Sequence, residues 1–520
     1  MHVAIYGYVN KQNSELFEIK LIIIQGQCGT TAEFCTPSHS RTGAPGTSEP
    51  GSNGCISNCG MGLVLDTTQH EFRKIGYFEG FNAQRSCLTM DISDLDLADY
   101  THIHLAFATL TTDFKVNITS IQDQFDLFIR MNGFKKNVSF GGWSFSTDTN
   151  TYPIFRESVT EANRATFIAN LVNFANENSL DGLDFDWEYP GAPDIPGVPA
   201  GSPQEGANYL TFLKDLRAVL PAEKSISIAT PASYWYLKGF PIDAMGQILD
   251  YVVFMTYDLH GQWDYGNKFS SPGCPTGNCL RSHVNITETM NALSMITKAG
   301  VPANKVVVGI ASYGRSFEMS QAGCHSELCT FTGPLSGAKP GRCTQTAGYI
   351  AEAEINEIIA SGVDFNGTDA SMSNIIVYNS TQWIAYMDTV NKATRTEAFQ
   401  KLNLGGTVEW AIDLSSEFSG ADPSAVDITA DEDEGFECIR SMDGKNESAE
   451  ACPLKRTTLA RLYFVLKDEE GFKNDLLNNY GIPFEWIEFG ESAIDICGDR
   501  AHPCTHFVTA WGFPVAKSDI

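Results

Sequence analysis

The chain has 520 residues, of which 63 are acidic and 35 basic, for a formal net charge of −28. A surface so negative repels nucleic acid and anionic membranes, so neither is expected as a partner, and a neutral or cationic substrate is favoured. No apolar run approaches the roughly 18 residues of a membrane helix, and the length suits one large α/β domain with smaller neighbours.

In chain order, residues 1–27 carry no regular pattern, and the short apolar patch at 21–24, preceded by Glu15 and Glu18, does not read as a signal peptide. The 14 cysteines are even in number and scattered, with close pairs at Cys274/Cys279 and Cys324/Cys329. That usage fits disulfides formed in an oxidising compartment, and hence secretion, better than a metal site; no cofactor is expected. Asn-x-Ser/Thr sequons at Asn117, Asn137, Asn285, Asn366, Asn379 and Asn446 fit the same secreted reading. Residues 28–60 hold Cys28, Cys35, Cys55 and Cys59 around a Ser/Gly/Pro-rich loop at 36–54. So short a piece needs cross-links to hold a fold. It resembles the second half of a hevein-type chitin-binding module; the first half is absent, and Phe34 is the one aromatic left where such modules stack sugars.

From residue 71 to about 425, short apolar strands alternate with helix-period segments. Strands are predicted at 75–81, 102–108, 137–143, 182–188, 225–232, 251–258, 306–313 and 406–412. Between them, Phe167, Ile168, Leu171, Val172 and Ala175 recur at helical spacing, as do Tyr209, Leu213, Leu216 and Leu220. Eight strand–helix repeats close most simply as an α/β fold of the (β/α)8 TIM-barrel type. The alternative is a doubly wound open sheet, but no Gly-rich phosphate loop follows the first strand. Residues 316–390 are too long for a βα connection and read as a small α+β insertion between strands seven and eight, with a helix at 351–360 and a strand at 374–378. An acidic linker at 430–435 leads to a cysteine-bearing segment at 436–520 with one helix at 469–479.

The chemistry points to Asp181-Gly-Leu-Asp184-Phe-Asp186-Trp-Glu188. On a strand, Asp184, Asp186 and Glu188 share one face, and Leu183, Phe185 and Trp187 take the other. Acids alone are common in so acidic a chain, but a solvated edge has no reason to be apolar behind. Neighbouring carboxylates raise one another's pKa, which keeps a carboxyl protonated for use as a general acid. Asp181 is out of phase and reads as a supporting residue. A barrel keeps its active site at the C-terminal strand ends. There the sequence places Ser139-Phe-Gly-Gly142-Trp143, Met255-Thr-Tyr257-Asp258 with Trp263 beyond, and Glu409-Trp410. A lone Trp at such a position is usually core, but several at one rim suit the apolar faces of sugar rings.

These motifs, with Tyr313-Gly-Arg315, resemble those of the glycoside hydrolase family 18 chitinases over residues 75–415. The segment at 28–60 and Lys467-Asp-Glu-Glu-Gly-Phe472 resemble the fungal killer-toxin-like branch, with Phe81 where that branch usually has Trp. The resemblance implies retaining hydrolysis of β-1,4-linked N-acetylglucosamine in which the substrate's own acetamido carbonyl is the nucleophile, forming an oxazolinium ion. Glu188 would be the acid, Asp186 would hold the acetamido N–H, Asp184 would share a proton with Asp186, and Tyr257 would orient the acetamido carbonyl. Trp410 would floor the scissile sugar, with Met255 and Tyr77 lining it. Asp258 and Arg315 would make polar contacts, and Trp143 and Trp263 would form leaving-group subsites. Ser139 would support the aspartates, with Gly142 and Tyr189 also in the binding region. The expected partner is chitin or its oligosaccharides, and a monomer is expected. Other functions stay open: a non-catalytic lectin, a toxin-like delivery subunit, or an endo-β-N-acetylglucosaminidase.

Overall fold

The structure is a computed structural model that describes residues 62–415, except 269, 271 and 272, together with the backbone of four short strands nearer the C-terminus. Those strands pair as two antiparallel hairpins, Trp486–Phe489 with Ile494–Cys497 and His506–Val508 with Pro514–Ala516. The expectations for residues 1–27, for 28–60 with Phe34, for the linker, and for the helix at 469–479 lie outside the described residues.

Within the first unit, the chain from β1 (Arg73–Glu79) runs through β2 (His102–Leu110), β3 (Lys135–Gly141), β4 (Gly182–Asp186), β5 (Ser225–Pro231), β6 (Tyr251–Met255) and β7 (Val306–Ala311). An antiparallel sheet follows, built from β8 (Tyr313–Glu318), β9 (Tyr349–Ala351), β10 (Phe365–Thr368), β11 (Asn374–Tyr378) and β12 (Gln382–Tyr386); β13 (Gly406–Trp410) returns to the first sheet. Strands β1 to β7 and β13 are parallel neighbours, and β1 pairs with both β2 and β13, so the sheet closes. This is the eight-stranded barrel, and it excludes the open-sheet alternative. Each barrel strand begins or ends within three residues of its predicted limits, and most stop short at the C-terminal end, where the backbone turns into the rim loops.

Burial explains why these segments adopt their forms. Along β4 the outward Leu183 and Phe185 are fully buried beneath the helices Arg164–Glu177 and Gln204–Val219. Phe185 meets Phe167 and Phe212 edge-on, and Phe167 stacks on Phe212 at 4.9 Å between ring centroids. Helix Ile286–Lys298 starts at Asn285, whose side chain accepts from the amides of Thr287 and Glu288, and is followed by Gly300 at φ +103°, a left-handed conformation that favours glycine.

The barrel interior is polar at its lower layer. Tyr251 donates or accepts with His104 Nε2 at 2.7 Å, and the Asn137 amide donates to the Tyr251 hydroxyl at 2.8 Å and to Ser225 Oγ at 3.0 Å. Asn137 is thus a fully buried strut, although it lies in a sequon.

A disulfide ties the insertion to the barrel, and an ionic cluster beside it ties the first barrel strand to the last. Cys87, after β1, is bonded to Cys343, while the neighbouring cysteines pair as Cys274–Cys279 and Cys324–Cys329. Beside Cys87, the Arg85 guanidinium bridges Glu79 at the end of β1 and Asp413 just after β13, the latter at 2.5 Å. Both carboxylates are buried. Removing one member of such a cluster leaves uncompensated charge, so Arg85→Ala is expected to destabilise this unit by about 3–5 kcal/mol, read as a lower denaturant midpoint. An unchanged midpoint would refute the role assigned to Arg85.

Candidate active site

Strand register assembles the acidic site from residues far apart in sequence. Ser139, Asp184 and Ser227 are lateral partners on β3, β4 and β5. As a result, Asp184 accepts from Ser139 Oγ at 2.7 Å, Ser227 Oγ at 2.6 Å and the Tyr77 hydroxyl at 2.6 Å, with His104 Nδ1 at 3.5 Å. Burial of Asp184 alone would raise its pKa, but His104 and the hydroxyl donors outweigh it, so the carboxyl sits below its ordinary value. Asp184 is therefore an ionised, saturated charge at the centre of the barrel.

One turn of the pleat further, Asp186 has the opposite character. It is buried, its Oδ1 has no hydrogen-bond partner, and its pKa is pushed well up by burial, by Glu188 and by Asp184. Glu188, at the rim and half-buried, is raised to about 7 by burial, with the Tyr189 hydroxyl lowering it and Asp258 raising it. Its backbone amide donates to Ser146 Oγ at 3.0 Å. Two carboxyls that hold their protons more tightly than usual thus stand above one that gives its proton up readily. Asp181, as its phase implies, lies off this face and pairs with Lys135 at 3.0 Å.

The glycines at the rim make room for this geometry. A Cβ on Gly141 would meet the Asp186 carbonyl oxygen at 2.4 Å, and one on Gly142 would meet the Phe107 ring at 2.5 Å. Both have positive φ, at +110° and +80°. Gly309, inside β7, leaves space for the Tyr257 ring, which a Cβ there would approach to 2.8 Å. Tyr257 is buried beside Tyr313, edge-on at 6.1 Å.

Around the acids stands an aromatic wall. Trp410 stacks on Phe107 at 5.4 Å and lies over Tyr77 at 5.3 Å. Tyr77, expected to line the sugar site, is fully buried beside Trp410 and donates its hydroxyl to Asp184. Met255 is half-buried and packs against the barrel core that includes Tyr77 and Tyr257. Tyr189 stacks on Tyr236 at 4.7 Å. Trp143 and Trp263 are each about half exposed, at 51% and 50%. Asp258, at φ +54°, is gripped by Arg315 through Nε at 2.7 Å and Nη2 at 2.6 Å and accepts from the Tyr313 hydroxyl at 2.7 Å. Burial would raise it, but Arg315 and His283 hold it well below the usual carboxylate range.

Sequence reasoning missed His104, Ser227, Phe107 and Ser146, and it had Tyr313 only as part of the Tyr313-Gly-Arg315 motif. Ser227 and His104 had a usable signal, since each occupies an inward position of an alternating strand; Phe107, on β2, and Ser146, on the short helix Gly142–Thr147, had none, because those elements come together at the acids only after closure. Among the described residues no cluster of His, Cys, Asp and Glu is arranged to hold a metal ion.

A closed barrel with paired acids and an aromatic rim at its C-terminal end defines a glycoside hydrolase site. Residues 73–414 match the glycosyl hydrolases family 18, and the chain belongs to that family. Residues 423–518 match the LysM11 alpha/beta domain. The secreted chitinase LysM12 of Penicillium expansum is 53% identical over 397 residues, 75% of this chain and 26% of that protein. The killer toxin subunits alpha/beta of Kluyveromyces lactis are 42% identical over 337 residues, 65% of this chain and 28% of that protein. The chain thus spans little more than a quarter of the length of these two relatives. The structure of the Ostrinia furnacalis Group IV chitinase in complex with allosamidin superposes with a TM-score of 0.56 at 22% identity, over 67% of this chain and 94% of that one, a likeness of fold.

The pKa of Glu188 can be checked by substitution. Asp258→Asn removes a negative charge that disfavours the Glu188 carboxylate, so the Glu188 pKa is expected to fall below about 7. Tyr189→Phe removes a donor to that carboxylate and is expected to raise it. Carboxyl-stretch infrared titration, with Glu188→Gln as the blank, reads both; shifts of opposite sign to these would refute the assignment.

Proposed function

We propose that this chain hydrolyses β-1,4-linked N-acetylglucosamine polymers, chitin among them, with retention through an oxazolinium ion. The observation that carries the reading is the contrast among the three acids. Asp184 is saturated by three hydroxyl donors and sealed in the barrel, so it is unsuited to attack an anomeric carbon. Glu188 is raised to about 7 and open to the cleft, as a general acid requires. Asp186 offers a buried oxygen with no partner, which suits the N–H of a 2-acetamido group.

On this reading Glu188 protonates the glycosidic oxygen, and the substrate's acetamido oxygen, oriented by the Tyr257 hydroxyl, closes on the anomeric carbon. Glu188 then takes a proton from the water that opens the oxazolinium ion. Asp186 holds the acetamido N–H, and the ionised Asp184 beneath offsets the developing positive charge. Trp410 forms the floor, Trp143 and Trp263 the leaving-group side, and the cysteine usage together with the named relatives supports secretion. The lectin reading is disfavoured by the presence of Glu188 itself.

Glu188→Gln is expected to lower kcat on chitin hexamer by about 10³-fold or more while leaving binding within a few-fold; an unchanged rate overturns the assignment. Cleavage of glucose oligomers at a comparable rate would overturn substrate assistance while leaving the acid in place. Because Glu188 must be protonated, kcat/KM should decline as pH rises through about 7, and an opposite slope would contradict its role as the acid.

A further inference from the structure

The turn after β6 carries Trp263 on a short 3₁₀ segment, Gln262–Asp264, and just beyond it the Tyr265 ring meets the buried Phe331 at 6.2 Å. A second anchor is ionic. His260 is 1% exposed, and its Nδ1 meets Asp264 Oδ2 at 2.7 Å while its Nε2 meets Glu288 Oε2 at 2.9 Å. A carboxylate accepts and cannot donate, so both ring nitrogens carry protons and the ring is an imidazolium. Burial opposes that charge, but Glu288 and Asp264 override it and raise His260 to about 10, while Glu288 is lowered.

The two carboxylates belong to different elements. Asp264 closes the Trp263 turn, and Glu288 lies in the first turn of the helix Ile286–Lys298. Trp263 is thereby held over Gly261, where an added Cβ would meet the indole at 2.3 Å, with the Arg315 guanidinium 4.9 Å from the ring centroid. Arg315 in turn grips Asp258. We propose that His260 is a positioning residue: bridging Asp264 and Glu288, it locks the Trp263 turn to the barrel's outer helix so that the exposed indole is presented as a rigid plate to a sugar chain extending beyond the scissile bond. The substrate half of this proposal rests on the reading under Proposed function; the locking half does not.

Two arms separate them. In the full chain, His260→Gln and Glu288→Ala are each expected to speed backbone amide exchange over residues 261–267 by about tenfold while β3 and β4 keep their protection. Glu288→Ala keeps the arm decisive where His260→Gln fails to fold. Unchanged exchange at 261–267 overturns the lock, whatever the activity. In the second arm, kcat/KM on chitin hexamer should fall about tenfold more than on a short nitrophenyl disaccharide, mainly through KM. Trp263→Ala should give a similar loss, and the double variant with His260→Gln should lose no more than the single ones. Equal losses on both substrates, or losses that multiply in the double variant, overturn the positioning role. Absence of turnover in the unaltered chain overturns the functional reading, and the exchange arm then decides the lock alone.

Discussion

The site depends on one ionised carboxylate sealed inside a barrel. A charge taken out of water is costly unless every lone pair finds a partner, and Asp184 meets that demand with hydroxyls from three different strands, β1, β3 and β5. Those donors exist only when the strands are in register around a closed cylinder. Above it Asp186 is pushed up by its own burial and by Glu188, and the fixed charge of Asp184 adds to that push. Glu188, next along the face, is lifted by its own burial and by Asp258. The gradient from ionised to protonated along one strand face is therefore a property of the whole barrel and of no single residue.

The insertion sheet is held by the same kind of commitment. Lys392 lies on the helix Thr389–Lys401, its ammonium shared among Glu352, Glu409 and Ser312, and the Tyr100 hydroxyl completes Glu409 at 2.6 Å. Burial would raise Glu409, but Lys392 and the hydroxyls bring it down to about 2. Glu352 opens the insertion helix Glu352–Ser361, and Glu409 is the neighbour of Trp410 on β13. The wall beside the cleft and the floor of the cleft are thus referenced to one cation.

Much of this was legible in the chain. Alternation placed Asp184, Asp186 and Glu188 on one face and Leu183, Phe185 and Trp187 on the other, and the latter three are buried. Local spacing also showed the close cysteines that turn out to be bonded, Cys274 with Cys279 and Cys324 with Cys329. What local pattern cannot carry is closure: that Cys87 reaches Cys343 across 256 residues, or that Tyr77 bonds Asp184, follows from where strands meet. The resemblance places Tyr77 as a lining residue of the sugar site; that it lies fully buried and bonded to Asp184 becomes visible only with Trp410 beside it.

Asn137 carries a consequence of its own. Its amide nitrogen, the atom a sequon offers for glycan attachment, is already spent inside the barrel on Ser225 and Tyr251. Attachment there and barrel closure are mutually exclusive. Carbohydrate at Asn137 would mark a molecule whose barrel had not closed when it was modified, so this position is a built-in record of folding order, with closure as the event that erases the sequon.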